Sequence, residues 1–563
     1  MNSTIVQEKK RGRTAVVSGL TPYTGTFGKE QLTHLLKRTM FGAKKADIDY
    51  FTGKTLDDVV SALLVAPPLP TALPLRTYAD STTVGVPADT AVLMGQPWVN
   101  AKEDGYYNGG RSASLRAWWA GQILNQTRSI HEKMVLFWAN HFSTEMDQTS
   151  ALLVHQYQMT IRKNALGNFK NLARDITFEP NMLRYLNGYV NNKTAPDENY
   201  GRELQELFTV GKGPNSKYTE DDVKAAAKVL TGWSIRQVET ATGSGMWNYE
   251  SYFIASRHET ADKAFSSFYS KTIAGSTTAG NTEANARREI DDLINMILAT
   301  NEAALYACRR LYRFFVYYDI DATVESEVIA PMAQIFRANY DIVPVLKALF
   351  SSDHFFDIAQ KACVIKSPLD YVIGAMREFN VEFPLPADYI YQYSAWSMMV
   401  ESRINGAVSQ GQYLADPPNV AGWPAYYQEP VYHEVWINTD TFPKRLKFID
   451  QFFTANGVTL ATGKKLWVDT PKFTLQFGDD ASDPNKLVDA ALALLYRVPP
   501  TAAMKAYLKT TILLDGQASD HYWSDAWEAY KLAPTNATNL SIVTTRLQKF
   551  YKFIVENPEF QLS

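Results

Sequence analysis

Three polar side chains recur at helical intervals in the segment from residue 196 to residue 211. As a helix, this segment places Asn199, Glu203 and Glu206 at positions i, i+4 and i+7, in one polar stripe. Two carboxylates and a carboxamide in register, beside a face that must be buried, predict the wall of a polar cleft. The apolar face that the stripe borders is formed by Tyr200, Leu204, Leu207 and Phe208.

The stripe has three interpretations, and the sequence leaves all three open. It could be a structural seam, with Glu203 and Glu206 paired to arginines, because buried carboxylates persist when they are paired and hydrogen-bonded. It could be an acid–base pair, in which one carboxyl has a raised pKa and donates a proton while the other accepts one. It could also be part of a metal site. The arginines considered as partners are Arg202, Arg257 and Arg310.

Acid–base chemistry of the glycoside-hydrolase kind adds a geometric condition. The two carboxyl groups must lie on opposite sides of the bond that breaks, roughly 5 to 10 Å apart. Glu203 and Glu206 are neighbours on one stripe, so a partner carboxyl from another part of the chain would suit this chemistry better. Gly-x-Ser-x-Gly and phosphate-binding Gly-x-x-x-x-Gly-Lys-Ser/Thr motifs do not occur.

A metal site would need histidines from separate elements. No His-Glu-x-x-His or Glu-x-x-His motif occurs, so His141 and His258 would have to meet Glu203 or Glu206 in space. His141 follows an aromatic helix end and could equally be a core or capping histidine. We therefore predict no tightly bound metal and no cofactor, and we keep His141, His258, Glu203 and Glu206 as the candidate catalytic residues.

Other polar and aromatic residues are candidates for binding a substrate. Arg257 with Lys263 forms a cationic cluster beside His258 that could hold an anionic group or complete salt bridges to the glutamates. The Pro- and Gly-rich block from residue 411 to 443 could brace the core with Trp423, or it could form a rim over the cleft. The predicted substrate-binding residues are Asn199, Arg202, Arg257, Lys263, Asn419, Trp423, Trp436 and Asn438.

Helical periodicity and capping signals predict the elements that carry these residues. A long irregular segment, residues 67–110, interrupts them, and residues 234–282 could form a small hairpin. Ser129 with Glu132 and Thr219 with the acids after it are predicted helix starts. The predicted helices are 29–40, 47–65, 112–126, 129–141, 219–232, 283–299, 302–317, 325–338, 342–350 and one that begins at Pro368.

Composition excludes several classes of protein. The formal charge of −3 creates no field that would favour nucleic acid, and no apolar run is long enough to span a membrane. Two cysteines cannot build a disulfide framework or a Cys-type zinc site. The first twelve residues lack a secretory signal, so we expect a periplasmic or extracellular location if a signal peptide has been removed and a cytoplasmic one otherwise.

Nine short blocks occur together in a fixed order, and this set resembles the large bacterial domain-of-unknown-function 1800 family over roughly residues 29 to 560. The resemblance implies a helical bacterial protein, often exported, whose relatives tend to be encoded beside a sulfatase-like partner. It implies no established activity. The blocks are His34 to Gly42, Glu132 to Phe142, Glu198 to Leu204, Tyr218 to Trp233, Arg257-His258, Lys366 to Pro368, Pro417 to Val420, Gly422 to Pro424 and Trp436 to Asn438.

The sequence therefore predicts a mainly α-helical protein with long irregular loops and at most a small β-hairpin. Residues 1–28 are predicted to be a flexible segment, and residues 29–560 a single large domain that could divide into lobes 29–350 and 351–560. The first functional hypothesis is an acid–base hydrolase that acts on an extracellular polymer, such as a polysaccharide, or its fragments. The alternative is a non-catalytic binding or assembly protein that works with a secreted sulfatase-like partner.

Overall fold

The computed structural model describes residues 18–83, 85–276, 280–454, 456–460 and 463–563. The mainly α-helical prediction is confirmed, since 56% of the structure is helical and the described strands form three two-stranded sheets. Of the predicted N-terminal segment, residues 1–17 lie outside the described ranges. Its remaining part lies against the helical body, where the Leu20 amide donates to Glu327 and the Tyr23 amide to Ser351.

The first helix, α1 (Lys29–Thr39), has the predicted bounds to within a residue. The single helix predicted over 47–65 is wrong, because two helices replace it: α2 (Lys45–Phe51) and α3 (Leu56–Leu63). Gly53, with φ of +84°, turns the chain between them. Thr55 then begins α3 with a capping box, since its hydroxyl accepts from the Asp58 amide and the Asp58 carboxylate accepts in return.

The next helices pack around a buried aromatic core that includes Trp118, Trp119 and Trp138. The capping box predicted at Ser129 is wrong in part. Ser129 does accept from the His131 amide, but the Glu132 carboxylate forms a buried ion pair with Arg162 instead of capping the helix. These helices are α4 (Asn108–Leu124), α5 (His131–His141), α6 (Ala151–Asn164), α7 (Phe169–Phe178) and α8 (Pro180–Tyr185).

The segment that carries the predicted stripe contains α9 (Asn199–Glu203), which continues into a π-helical turn over Leu204–Thr209. After it, α10 (Glu220–Val229) begins at the predicted cap, where Thr219 and Asp222 form a capping box. The predicted hairpin follows as β1 (Trp233–Glu239) paired antiparallel with β2 (Trp247–Phe253). A shorter pair, β3 (Lys263–Ala264) with β4 (Thr272–Ile273), lies beyond it.

The rest of the chain is again helical, with a third strand pair, β5 (Val458–Thr459) and β6 (Lys465–Leu466). Helix α4 packs against two of the later helices, and apolar residues from both halves of the chain form one continuous core. The later helices are α11 (Glu283–Leu298), α12 (Asn301–Phe315), α13 (Ala322–Val324), α14 (Ala330–Asn339), α15 (Ile342–Phe350), α16 (Asp353–Phe356), α17 (Pro368–Glu378), α18 (Tyr389–Glu401), α19 (Thr441–Asp450), α20 (Thr470–Leu475), α21 (Pro484–Leu495), α22 (Ala502–Tyr507), α23 (His521–Leu532) and α24 (Ala537–Glu556).

Two further sequence expectations concern the cysteines and the membrane. Cys308 is buried, Cys363 is half-buried, and neither is in a disulfide. Over the described ranges, no helix combines the length and the apolar character needed to cross a bilayer.

Candidate functional site

The glutamates of the predicted stripe lie on either side of a change in helix type. Glu203 is the last residue of α9, and Glu206 lies in the π-helical turn that follows. The turn is closed by the Val210 amide, which donates to the Gln205 carbonyl at 2.9 Å, five residues back. The regular spacing that the sequence suggested is therefore interrupted, and π-helical turns are rare features that occur frequently at functional sites.

Arg202, one of the arginine partners expected for a structural seam, is engaged by other carboxylates. Arg202 binds Glu220 through two hydrogen bonds of 2.7 Å and Glu198 through one of 3.1 Å. Glu206 forms its ion pair with Lys212, whose own side chain is largely exposed. Among the residues that the structure describes, neither Glu203 nor Glu206 forms an ion pair with an arginine.

The burial of the Glu203 carboxyl group is therefore poorly compensated by hydrogen bonds or opposite charges. Its Oε2 atom is buried and has no hydrogen-bond partner within the described part of the chain. Burial, followed by the negative charge of Glu206, raises the pKa of Glu203, although Lys212 and Arg202 act in the opposite direction. This carboxyl group therefore retains its proton to higher pH than an ordinary glutamate.

Tyr185 lies near Glu203 and near two carboxylates from other parts of the chain, Glu145 and Asp416. Tyr185 is the last residue of α8, and its hydroxyl donates to Glu145 Oε1 at 2.6 Å. Burial and the charges of Glu145, Asp416 and Glu203 all raise the pKa of Tyr185. The sequence did not predict this grouping around Tyr185, because its members lie far apart along the chain.

Asp416 belongs to a second group of charges, centred on the buried guanidinium of Arg116. Arg116 lies 3.0 Å from Asp147, 3.4 Å from Glu401 and 3.6 Å from Asp416, and it stacks on the ring of Tyr413. Burial and the neighbouring Asp147 raise the pKa of Asp416 to about 6. We call Glu145, Asp147, Glu203, Glu206 and Asp416 the acidic cluster.

The helix that holds Tyr185 begins with an unusual cap. The Glu179 carboxylate accepts hydrogen bonds from the Asn181 amide at 2.7 Å and the Met182 amide at 3.3 Å. These bonds favour the ionised form, but complete burial outweighs them and raises the pKa of Glu179 to about 8. The folded protein therefore keeps a proton here that the unfolded chain releases near its ordinary value of 4.5.

This cap gives a prediction about stability and pH. Because the folded state binds the extra proton between about pH 4.5 and 8, Glu179 lowers the free energy of unfolding as the pH rises through that range. The slope is about 1.4 kcal/mol per pH unit for one group. Glu179→Gln removes the titration, so thermal melts should show a smaller loss of stability for the variant between pH 5 and 8. Parallel pH profiles of the variant and the natural protein would contradict this origin.

His141 lies in the aromatic core rather than in an open cleft. Its Nε2 donates to the carbonyl of Phe208 at 2.8 Å, and its ring packs among Phe137, Trp138 and Phe142. Burial and the charge of Arg310 lower the pKa of His141 to about 3. It is thus a neutral donor that holds the end of the π-helical turn.

His258 and Lys263 form a buried group around a glutamate that the sequence did not single out. Lys263 Nζ lies 2.5 Å from Glu289 Oε2, and His258 Nε2 lies 3.4 Å from the same oxygen. The Arg257 side chain is exposed. The cationic cluster predicted on this loop is therefore not a single site. His258 and Lys263 are buried and contact Glu289, whereas Arg257 faces the solvent.

Comparison with known families gives one finding that covers most of the chain. A family model described as "Protein of unknown function (DUF1800)" matches residues 34–562. The chain belongs to this family. No curated protein and no solved structure matches the chain.

The Pro- and Gly-rich block of this DUF1800 protein packs against the core through its two predicted tryptophans, whereas its predicted asparagines are exposed. Trp423 is 2% exposed, and its amide donates to Asn140 Oδ1 at 2.8 Å. Trp436 is also buried, and it packs near Tyr426. The two predicted tryptophans are therefore parts of the core in this structure.

The asparagines of the same block are exposed. The Asn419 amide donates to the Tyr427 hydroxyl at 3.0 Å. Asn438 accepts from the amides of Asp440 and Thr441, each at 2.9 Å, at the start of α19. In the described ranges of this DUF1800 chain, no group of three or more His, Cys, Asp and Glu side chains is placed to bind a metal ion.

Proposed function

We propose that this protein is a hydrolase that uses acid–base chemistry at the acidic cluster, acting on an extracellular polymer or its fragments. One observation carries the proposal: Glu203 presents a buried carboxyl oxygen that has no partner among the described residues. Buried ion pairs of this chain also leave one carboxyl oxygen without a partner, as at Glu132 and Glu378, but those glutamates are each paired with a cation. Glu203 forms no ion pair with a described residue, so its burial costs free energy that nothing in the described chain offsets. At a reactive site, the missing partner is the substrate.

The proposed roles follow from the environment of each carboxyl group. Glu203, whose pKa is raised by burial and by Glu206, donates its proton to the leaving-group oxygen as the scissile bond breaks. Glu145, oriented by the Tyr185 hydroxyl, accepts a proton from the attacking water. The two carboxyls come from different parts of the chain, and the proposal requires them to lie on opposite sides of the scissile bond, roughly 5 to 10 Å apart.

The surroundings of the acidic cluster support a sugar or a similar polymer. Half-buried tyrosine rings lie among the carboxyls, and such rings offer an apolar face together with a hydroxyl. Asn199 and Arg202, two of the predicted substrate contacts, lie on α9 with Glu203 and are half-buried. The tyrosines are Tyr185, Tyr218 and Tyr413.

The deciding experiment replaces Glu203 by glutamine. Release of reducing ends should be measured on a panel of neutral and acidic polysaccharides, and loss of the general acid should lower the rate about 10²- to 10⁴-fold. Because burial raises the pKa of Glu203, ionisation of this carboxyl group lowers the free energy of unfolding, so glutamine should leave the melting temperature at pH 7 unchanged or raise it. The matched control is Glu198→Gln, which removes a more exposed carboxyl at the start of the same segment and should leave the rate unchanged.

Two outcomes would overturn the proposal. A large drop in the melting temperature of Glu203→Gln, with no effect on hydrolysis separable from unfolding, would show that Glu203 has a structural role. Binding of a polysaccharide without hydrolysis, by the natural protein, would favour the alternative of a non-catalytic binding or assembly protein that works with a secreted sulfatase-like partner.

A further inference from the structure

A second site lies at the opposite end of α8 from Tyr185. A cavity of about 490 Å³ opens between α6, α7 and β2, and the Glu179 cap of α8 forms part of its wall. Helix α8 has six residues, so its two ends are about 9 Å apart. The volume lies in the range of small-molecule sites, roughly 300 to 1,000 Å³.

His155 supplies the first indication that this cavity binds a ligand. The residue is 7% exposed, yet its Nε2 atom has no hydrogen-bond partner among the described residues. The ring is held edge-on by Trp98 and Trp118, so its position is fixed. Burial and the charge of Arg162 lower the pKa of His155 to about 4, which makes it a neutral imidazole at pH 7. Five other histidines also leave one ring nitrogen without a partner, but each of them forms a hydrogen bond through its other nitrogen. His155 forms no hydrogen bond with a described residue through either nitrogen.

The second indication is an excess of hydrogen-bond donors on the wall. Arg174 Nε lies 2.6 Å from Asp291 Oδ1 but is not aligned for a hydrogen bond, and the terminal nitrogens of Arg174 form no hydrogen bond with a described residue. Lys163 forms no ion pair with a described residue and also lines the cavity. Glu179 holds its proton at neutral pH because burial raises its pKa to about 8.

Apolar and charged groups shape the remaining wall. Arg287 stacks on Phe178 with its guanidinium 4.4 Å from the ring centre, and it is neutralised by Glu283 at 2.8 Å. Phe178 and Met159 give the cavity an apolar side. The Asp175 carboxylate also lines the cavity and accepts from Asn164 at 3.0 Å, but the three cations of the wall outnumber it. A ligand that fits therefore combines a negatively charged group with a compact body that has both polar and apolar faces.

We propose that this cavity binds a sugar acid, with the carboxylate held by Arg174 and Lys163 and a ring oxygen or hydroxyl bound by His155. A planar guanidinium and a carboxylate match in geometry, which favours a carboxylate over a neutral sugar. The site is separate from the acidic cluster, and it does not depend on the hydrolytic activity proposed there.

Isothermal titration calorimetry with glucuronate, glucose and inorganic sulfate tests the proposal. Glucuronate should bind, and glucose and sulfate should each bind at least ten-fold more weakly. Arg174→Gln should weaken glucuronate binding at least ten-fold. The control Arg288→Gln removes a half-exposed arginine, paired with Asp292 at 3.0 Å on α11, and should leave binding unchanged.

His155→Leu provides a readout that is independent of folding. Because the variant removes a buried nitrogen that lacks a partner, its melting temperature should be unchanged or higher, while glucuronate binding falls at least ten-fold. Absence of glucuronate binding by the natural protein would overturn the proposal. Equal binding of glucuronate and sulfate would overturn the assignment of a sugar, and unaltered binding by Arg174→Gln or His155→Leu would overturn the assignment of the cavity.

Discussion

Replacing Glu289 by glutamine is expected to lower the free energy of unfolding by about 3 to 5 kcal/mol. Glu289 is completely buried, and it neutralises Lys263, which is buried as well. Burial alone would raise the pKa of Glu289, but the hydrogen bond and charge of Lys263 and the nearby His258 outweigh burial and lower it. Glutamine would leave the Lys263 ammonium in the interior without a counter-charge. An unpaired buried charge of this kind accounts for most of the free energy lost when one partner of a buried ion pair is removed.

Thermal and urea unfolding at pH 7 measure this effect. The matched control is Asp292→Asn, one turn further along α11, where the half-exposed carboxylate pairs with Arg288 at 3.0 Å. Removing a solvent-exposed ion pair of this kind changes stability by less than about 1 kcal/mol. Equal effects of the two substitutions would show that the buried group of Lys263, Glu289 and His258 contributes no more than a surface pair.

Replacing Trp423 by alanine is expected to lower the free energy of unfolding by about 3 to 5 kcal/mol, because it empties a large volume in the core. The backbone on either side cannot move to fill that space. Gly422 has φ of +91°, and a Cβ atom at this position would lie 2.2 Å from Asn140 Oδ1. The loop is thus held against α5 by main-chain contacts, whether or not the indole is present.

The matched control is Trp467→Ala, since Trp467 is 50% exposed and its removal opens no internal cavity. Melting temperatures of the two variants distinguish the two interpretations of the Trp423 loop. If Trp423 were a ligand-stacking residue on a rim, its alanine variant would melt like the natural protein. That result would contradict the packing role.

Local signals were sufficient to predict most helices, because caps and apolar periodicity are encoded within one segment. Thr219 and Pro368 begin helices as predicted. The failures arise where one residue changes the backbone without changing the pattern. Gly53 divides a periodic stretch into two helices, and the turn after Glu203 retains apolar side chains while it alters their angular spacing.

Only those residues of the candidate site that lie close together in the sequence could be predicted as a group. Glu203 and Glu206 are close in sequence, so the segment could be found from its spacing. Glu145, Asp416 and Glu203 come near Tyr185 from distant parts of the chain, so no single segment of the sequence could predict this grouping. His258 was found as a member of a charged cluster, but the carboxylate it serves, Glu289, lies on another helix.

The π-helical turn at Leu204–Thr209 makes the length of this segment as important as its composition. An α-helix advances by about 100° per residue, and a π-helical turn accommodates one more residue than an α-helical turn does. Deleting one residue within the turn would restore an ordinary helix, and everything after the deletion would rotate by about that angle relative to α9. Glu206 and Lys212 would then no longer face Glu203 as they do here. Family members with a shorter segment would therefore carry a different charge beside this carboxyl, even with the same neighbouring residues.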